Sequence, residues 1–134
     1  MNKIVIPVSI INEMIHHAKE AYPKEACGIL TGIDMKAKKL YRMKNIDNSE
    51  VSYEMDSREQ FQVMKEIEKE GLKMLAIYHS HPASPPYPSQ RDIGLAFYPD
   101  TVYIIIGLTT ETPEINAFLM REGEVDKIEI QSTP

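Results

Sequence analysis

Two histidines one residue apart, His79 and His81, stand at the end of the apolar run Leu72-Lys73-Met74-Leu75-Ala76-Ile77-Tyr78. On an extended strand, side chains two apart point to the same side, so both imidazoles face one way. A proline-heavy stretch, Pro82 to Pro88, carries the chain to Ser89, and Asp92 follows three positions later. Ser89 fits the N-cap of a short helix, which puts Asp92 in the first turn, where it can turn back toward the strand end. Two imidazoles and one carboxylate, with a fourth position open, form the ligand set of a catalytic zinc rather than a structural one. Such a metal activates water and polarises a carbonyl, which is the chemistry of hydrolysis.

Each part also has an ordinary reading. Ser89-x-x-Asp92 is a plain capping box, His-x-His occurs on ordinary strands, and proline-rich turns are common connectors. Their joint occurrence, with a His pair at a strand end and an inward acid at short range, tips the reading toward a metal. His16 and His17 lie off the apolar face of the first helix and read as solvated, so no second metal is expected. Cys27 reads as a buried packing residue, because no base is identifiable for it. The His-x-Glu and Pro-Cys-x-x-Cys pattern of zinc deaminases is absent, as is the His-Glu-x-x-His helix of common zinc proteases.

These residues need elements to position them. Ile4-Val5-Ile6 reads as an opening strand. A helix capped at Ser9 follows, with Ile11, Met14, Ile15, Ala18 and Tyr22 on its apolar face, and Pro23 ends it. Ala26 to Gly32 reads as a buried strand and Lys39 to Met43 as a half-exposed one. Asn45 to Asp56, rich in Asn, Asp and Ser, is a long loop. Ser57 with Gln60 suggests a capping box for a helix that carries Phe61, Met64 and Ile67 inward as far as Gly71. Leu72 to His79 is a strand, Ser89 to Phe97 a short helix, and Val102 to Leu108 a central strand. Glu114 to Ile130 alternates across a hairpin that turns at Glu122-Gly123-Glu124. Mixed strands and helices place the chain in the α/β or α+β class.

A length of 134 residues suits one domain spanning residues 1–134. No apolar run reaches the roughly 20 residues needed to span a bilayer, and the N-terminus lacks the marks of a signal peptide, so no membrane association is expected. Cys27 is the sole cysteine, which excludes an intramolecular disulfide and points to a cytoplasmic protein. The net charge is −5 with scattered cations, which disfavours a nucleic-acid partner. No feature specifies an oligomeric state.

His-x-His, seven residues and Ser-x-x-Asp, with an upstream glutamate, resemble the JAMM (MPN-plus) zinc metallopeptidase family. His79, His81, Ser89 and Asp92 match without gap or substitution, and so does Pro82. Glu25-Ala26-Cys27-Gly28-Ile29-Leu30-Thr31-Gly32 is similar to the family's Glu-x-Cys-Gly-Ile-Leu-x-Gly segment, and Asn48-Ser49 with Tyr53-x-Met55-Asp56 to a loop of its small standalone prokaryotic members. The resemblance runs from about residue 4 to residue 110. It implies an MPN or cytidine-deaminase-like architecture, a curved mixed β-sheet flanked by helices, with one zinc per chain on His79, His81 and Asp92. It also implies that Glu25 holds and deprotonates the attacking water, then hands the proton to the leaving amine. Without the resemblance, Glu25 reads as a surface residue after a turn. Ser89 would donate to the oxyanion, in competition with its cap role for the same hydroxyl.

Members of this family cut the amide after the C-terminal Gly-Gly of a ubiquitin-like or sulfur-carrier protein, either as isopeptidases or as processing enzymes. The resemblance therefore implies such a carrier as substrate and partner, its tail extended in a narrow groove or added to a sheet edge. Two alternatives are a zinc hydrolase of small amino-acid adducts or short peptides, and a catalytically silent MPN scaffold. If residues 45–56 form a lid, Tyr53 and Met55 are its expected apolar contacts.

Overall fold

The computed structural model describes residues 2–134. In chain order the elements are β1 (Lys3–Pro7), α1 (Val8–Ala21), β2 (Cys27–Ile33), β3 (Lys36–Met43), α2 (Ser57–Lys69), β4 (Lys73–His81), α3 (Gln90–Gly94), β5 (Val102–Gly107), β6 (Glu114–Arg121) and β7 (Glu124–Thr133). The expected α+β class holds. The mixed sheet curves until it closes on itself, in the order β1-β3-β2-β4-β5-β6-β7. β4 runs antiparallel to β2 and parallel to β5. The ring shuts where β1 runs parallel to β7 along its whole length and meets β3 at Val5–Lys36.

Alternation along β4 decides which side chains reach the site. Tyr78 packs with Leu30, Ile104 and Ile106 against Ile10, Met14 and Ala18 of α1. Ile77 faces the other way, into a cluster with Tyr103, Ile105 and Phe118. His79 and His81 share that second face by their spacing. Gly28 is required beside Tyr78, because a Cβ there would overlap the phenol ring.

Several local expectations are corrected. Helix α1 starts straight out of β1, with Pro7 at its N-cap (φ −59°) and no side-chain cap, so Ser9 lies inside the first turn. Its buried face is Ile10, Met14 and Ala18, and Tyr22 is exposed. Helix α2 is capped by Asp56, whose carboxylate accepts from the Arg58 and Glu59 amides at 2.8 and 3.5 Å. An ionised acceptor at a helix N-terminus outcompetes the Ser57 hydroxyl beside it. That helix buries Val63 and Ile67, leaving Phe61 and Met64 exposed. β3 begins at Lys36, earlier than expected, and α3 ends at Gly94 rather than Phe97. Glu122 and Gly123 both take positive φ at the last hairpin turn, and Glu124 already belongs to β7.

His17 is also corrected. It is partly buried rather than solvated, and its Nδ1 lies 2.6 Å from the Tyr78 hydroxyl. His16 is exposed, beside Glu20 at 2.7 Å. Among the described residues no helix is long and apolar enough to cross a membrane.

Candidate metal centre

His79 and His81 are the last two inward positions of β4, held by parallel pairing of His79 with Ile105 and of His81 with Gly107. The turn beyond them is anchored from several sides. Gly107 lets Pro86 settle onto β5, since a Cβ there would come within 2.7 Å of Pro86 Cδ. The Asn116 side chain donates to the Pro86 carbonyl at 3.1 Å, and Tyr87 meets Phe118 edge to face. The chain then enters α3 through a capping box, as the spacing indicated. Ser89 Oγ accepts from the Asp92 amide at 3.1 Å, and Asp92 Oδ2 accepts from the Ser89 amide at 2.9 Å.

This brings three donor atoms together. The two Nε2 atoms are 3.1 Å apart, and Asp92 Oδ2 lies 3.2 Å from His79 and 3.0 Å from His81. Donors at the corners of a tetrahedron around zinc, each about 2.0–2.1 Å from it, sit about 3.3 Å from one another. The observed spacing fits that set. His81 Nδ1 lies 2.8 Å from the Pro85 carbonyl, and donating its proton there leaves the Nε2 lone pair free for a ligand role. His79 and His81 are buried and Asp92 is half-buried. Among the described residues, His79, His81 and Asp92 form the one group of His, Cys, Asp and Glu side chains placed to hold a metal ion.

The titration of these groups follows from their packing. Burial works to raise Asp92, but hydrogen bonds to His79 and His81 outweigh it and hold the carboxylate far below its usual range. Burial pushes His79 down, with Asp92 opposing. At His81, burial also pushes down, but Asp92 and the Pro85 carbonyl prevail and raise it.

Glu25 sits just before β2, only 5% exposed, with Oε1 buried and unpaired. Burial raises its carboxyl to about 7; His81 opposes the rise and Asp92 adds to it. The neighbouring residue ties this segment to the ligand strand. The Ala26 amide donates to Ser80 Oγ at 2.8 Å, and the Ser80 amide donates to the Ala26 carbonyl at 3.0 Å. The expected surface-like alternative for Glu25 does not hold. At Ser89 the cap uses a hydroxyl lone pair as acceptor, which does not consume the hydroxyl proton.

Two contributors were invisible in the sequence. Ser80, between the histidines, clamps the glutamate segment. Asn45, one Asn in an Asn-rich loop, hydrogen-bonds the Glu25 carbonyl at 3.0 Å. Tyr53, expected as a lid contact, stacks on His79 with centroids 4.6 Å apart. It also helps line a groove of about 300 Å³ with Met55, Ile77, Leu95, Phe97 and Tyr103.

A mixed sheet that presents His-x-His at a strand end, a cap aspartate and a buried glutamate is the arrangement of a JAMM-type metallopeptidase. Residues 7–121 match the family described as prokaryotic homologs of the JAB domain, and the chain belongs to that family. The CysO-cysteine peptidase of Mycobacterium tuberculosis is 34% identical over 127 residues, covering 91% of this chain and 86% of the relative. A probable TtuB-protein conjugate cleaving protease of Thermus thermophilus is 34% identical over 122 residues, covering 90% and 78%. A desampylase of Pyrococcus furiosus is 33% identical over 108 residues, covering 79% and 74%. Among solved structures, a Desulfitobacterium hafniense protein superposes with TM-score 0.88 at 38% identity, over 97% of this chain and 92% of that one. A JAB1/MPN domain protein of Archaeoglobus fulgidus shares the fold, at TM-score 0.62 and 20% identity over 95% of each chain.

Proposed function

We propose that this metallopeptidase cuts the amide bond after the C-terminal Gly-Gly of a ubiquitin-like or sulfur-carrier protein, using one zinc per chain on His79, His81 and Asp92. The observation that carries this reading is the three-donor group beside a buried carboxylate raised to about 7. Bound zinc supplies Lewis acidity toward the scissile carbonyl and acidifies water. The chain's own residues move the protons. Glu25 takes one from the attacking water and gives it to the leaving amine, and a carboxyl near neutrality suits both halves of that task. The free Ser89 hydroxyl proton donates to the oxyanion. Three relatives named for CysO-cysteine, TtuB conjugates and desampylation support a carrier substrate. A cytoplasmic setting accords with the single buried Cys27.

A second leaving group, a free amino acid, is favoured by one observation. Glu25 forms part of the wall of a cavity of about 320 Å³ shared with His17, Lys24, Lys44, Asn45 and Asn48. Lysines there suit the free carboxylate of an amino-acid adduct, which a conjugated lysine side chain lacks.

The test is intact-mass analysis of carrier proteins extended past Gly-Gly, either by one amino acid or by an isopeptide-linked lysine, with native enzyme and Glu25→Gln. A cut directly after Gly-Gly by native enzyme alone is expected. No cut on either extension by a zinc-loaded protein would overturn the carrier assignment.

A further inference from the structure

We propose that Asn45 is a positioning residue, which sets Glu25 against the His79–His81–Asp92 group by holding its peptide unit from the loop. The inference rests on the reading of Glu25 as the acid–base group.

The Asn45 side chain uses its full capacity of two N–H donors and two carbonyl lone pairs. Nδ2 donates to the carbonyls of Glu25 and Ser52, both at 3.0 Å. Oδ1 accepts from the amides of Asp47 at 3.0 Å and Glu54 at 3.1 Å. One end of the amide therefore folds the loop, and the other grips the glutamate. The grip is completed from the same loop, because the Glu25 amide donates to the Ser49 carbonyl at 2.8 Å. Both polar groups of the Glu25 backbone are thus held by residues 45–49.

Glu25 needs this support more than its neighbours do. β2 begins at Cys27, so Glu25 lies outside the ladder that fixes the strand. Its carboxylate has one oxygen buried without a partner, so that atom ties the side chain to nothing. The backbone is what places it. The loop is in turn registered on the ligands at two points. Tyr53 stacks on His79, and Asp47 lies 3.6 Å from Arg91, the residue before Asp92. A single segment therefore touches the glutamate, one histidine and the helix that bears the aspartate. It works as a brace between them. Displacement of a reacting group by about 1 Å can cost on the order of a hundredfold in rate, so a residue that fixes Glu25 acts on turnover without touching substrate.

Asn45→Asp separates the two halves of the amide, because it keeps the shape and the acceptors but removes both donors. In the zinc-loaded enzyme we expect kcat to fall at least about thirtyfold with KM within about twofold. Zinc content should stay the same as in native enzyme. Amide hydrogen exchange, which needs no substrate, should speed up at least about tenfold at Glu25 while Leu30 and Ile104 keep their protection. Asn45→Ala, which removes the donors and adds no charge, serves as the second variant if Asn45→Asp does not fold. Unchanged exchange at Glu25 with kcat within about threefold of native would overturn the proposal, as would equal loosening of Glu25, Leu30 and Ile104. Full turnover by Glu25→Gln would instead defeat the acid–base reading itself. An inactive Glu25→Gln beside a fully active Asn45→Asp defeats the positioning role alone.

Discussion

The phenol ring of Tyr53 lies against the imidazole of His79, with centroids 4.6 Å apart and planes 24° from parallel. His81 is oriented otherwise, by the contact of its Nδ1 with the Pro85 carbonyl at 2.8 Å. His79 has no such bond, since its Nδ1 is buried without a partner. Asp92 meets both rings at Nε2, but their far sides are aimed by different forces: His81 by a hydrogen bond, His79 by stacking and close packing.

Removing the stack should loosen the metal. Aromatic pairs contribute about 0.5–1.5 kcal/mol beyond their buried area, so Tyr53→Leu should weaken zinc retention by about two- to twelvefold, while Tyr53→Phe should not. Competition with a chromophoric chelator measures this. Equal retention by native protein and Tyr53→Leu would show that packing alone aims His79.

Binding and chemistry should separate between Asp92 and Glu25. Asp92→Ala removes the carboxylate that meets both histidines, and metal analysis should find that variant empty. Glu25→Gln should keep its zinc and lose about 10²- to 10⁴-fold in turnover, the span typical of a general acid–base group. A full zinc complement in Asp92→Ala would remove that residue from the ligand set.

The raised carboxyl of Glu25 carries a stability signature in metal-free protein. Its folded value of about 7 lies above the ordinary 4.5, so the fold favours the protonated form. That contribution is fully present below about pH 4.5 and is lost as pH rises through about 7. Native protein should therefore lose stability relative to Glu25→Gln between pH 5 and pH 8, by at most about 3 kcal/mol. Urea unfolding of the chelated proteins at both pH values tests it, and a constant gap would contradict the buried carboxyl.

His17 should behave in the opposite sense. Burial, helped by Arg42 and opposed by Glu20, lowers it from 6.5 to about 4, so the fold favours the neutral ring. Its contribution is intact above pH 6.5 and is lost as pH falls toward 4. Relative to His17→Gln, native protein should weaken between pH 7 and pH 4.5, read as a falling urea midpoint. A midpoint difference that does not move with pH would mean that His17 titrates freely.

What could be read from the sequence was local. His79, His81, Ser89 and Asp92 are legible because strand alternation and a helix cap place them over short spans. Glu25 was legible only through resemblance, since it lies outside the β2 ladder and its backbone is held by Asn45 and Ser49 of a distant loop. The caps at Ser9 and Ser57 misled because a neighbour wins each contest: Pro7 at a strand end already fixed for the helix, and Asp56 with its charge. Phe61 and Met64 looked inward because α2 offers two overlapping apolar faces, and only packing against Cys27 and Ile29 selects Val63 and Ile67. Ring closure pairs Lys3 with Glu129, a contact between chain ends that no local pattern encodes.

The anchored proline turn keeps the metal group a short-range affair along the chain. His81 and Asp92 are only 11 positions apart, whereas the clamp from Ala26 to Ser80 that brings Glu25 into place spans 54. Closing the longer loop costs about 1.4 kcal/mol more in chain entropy. Prolines 82, 85, 86 and 88 also restrict the unfolded chain between the ligands, so less freedom is lost when they meet. The group that could clasp an ion thus lies in one stretch of chain, and on the proposed role of Glu25 its use depends on a distant one arriving. With Glu25 as the proposed acid–base group, a molecule loosened only there is expected to keep its metal and be inert.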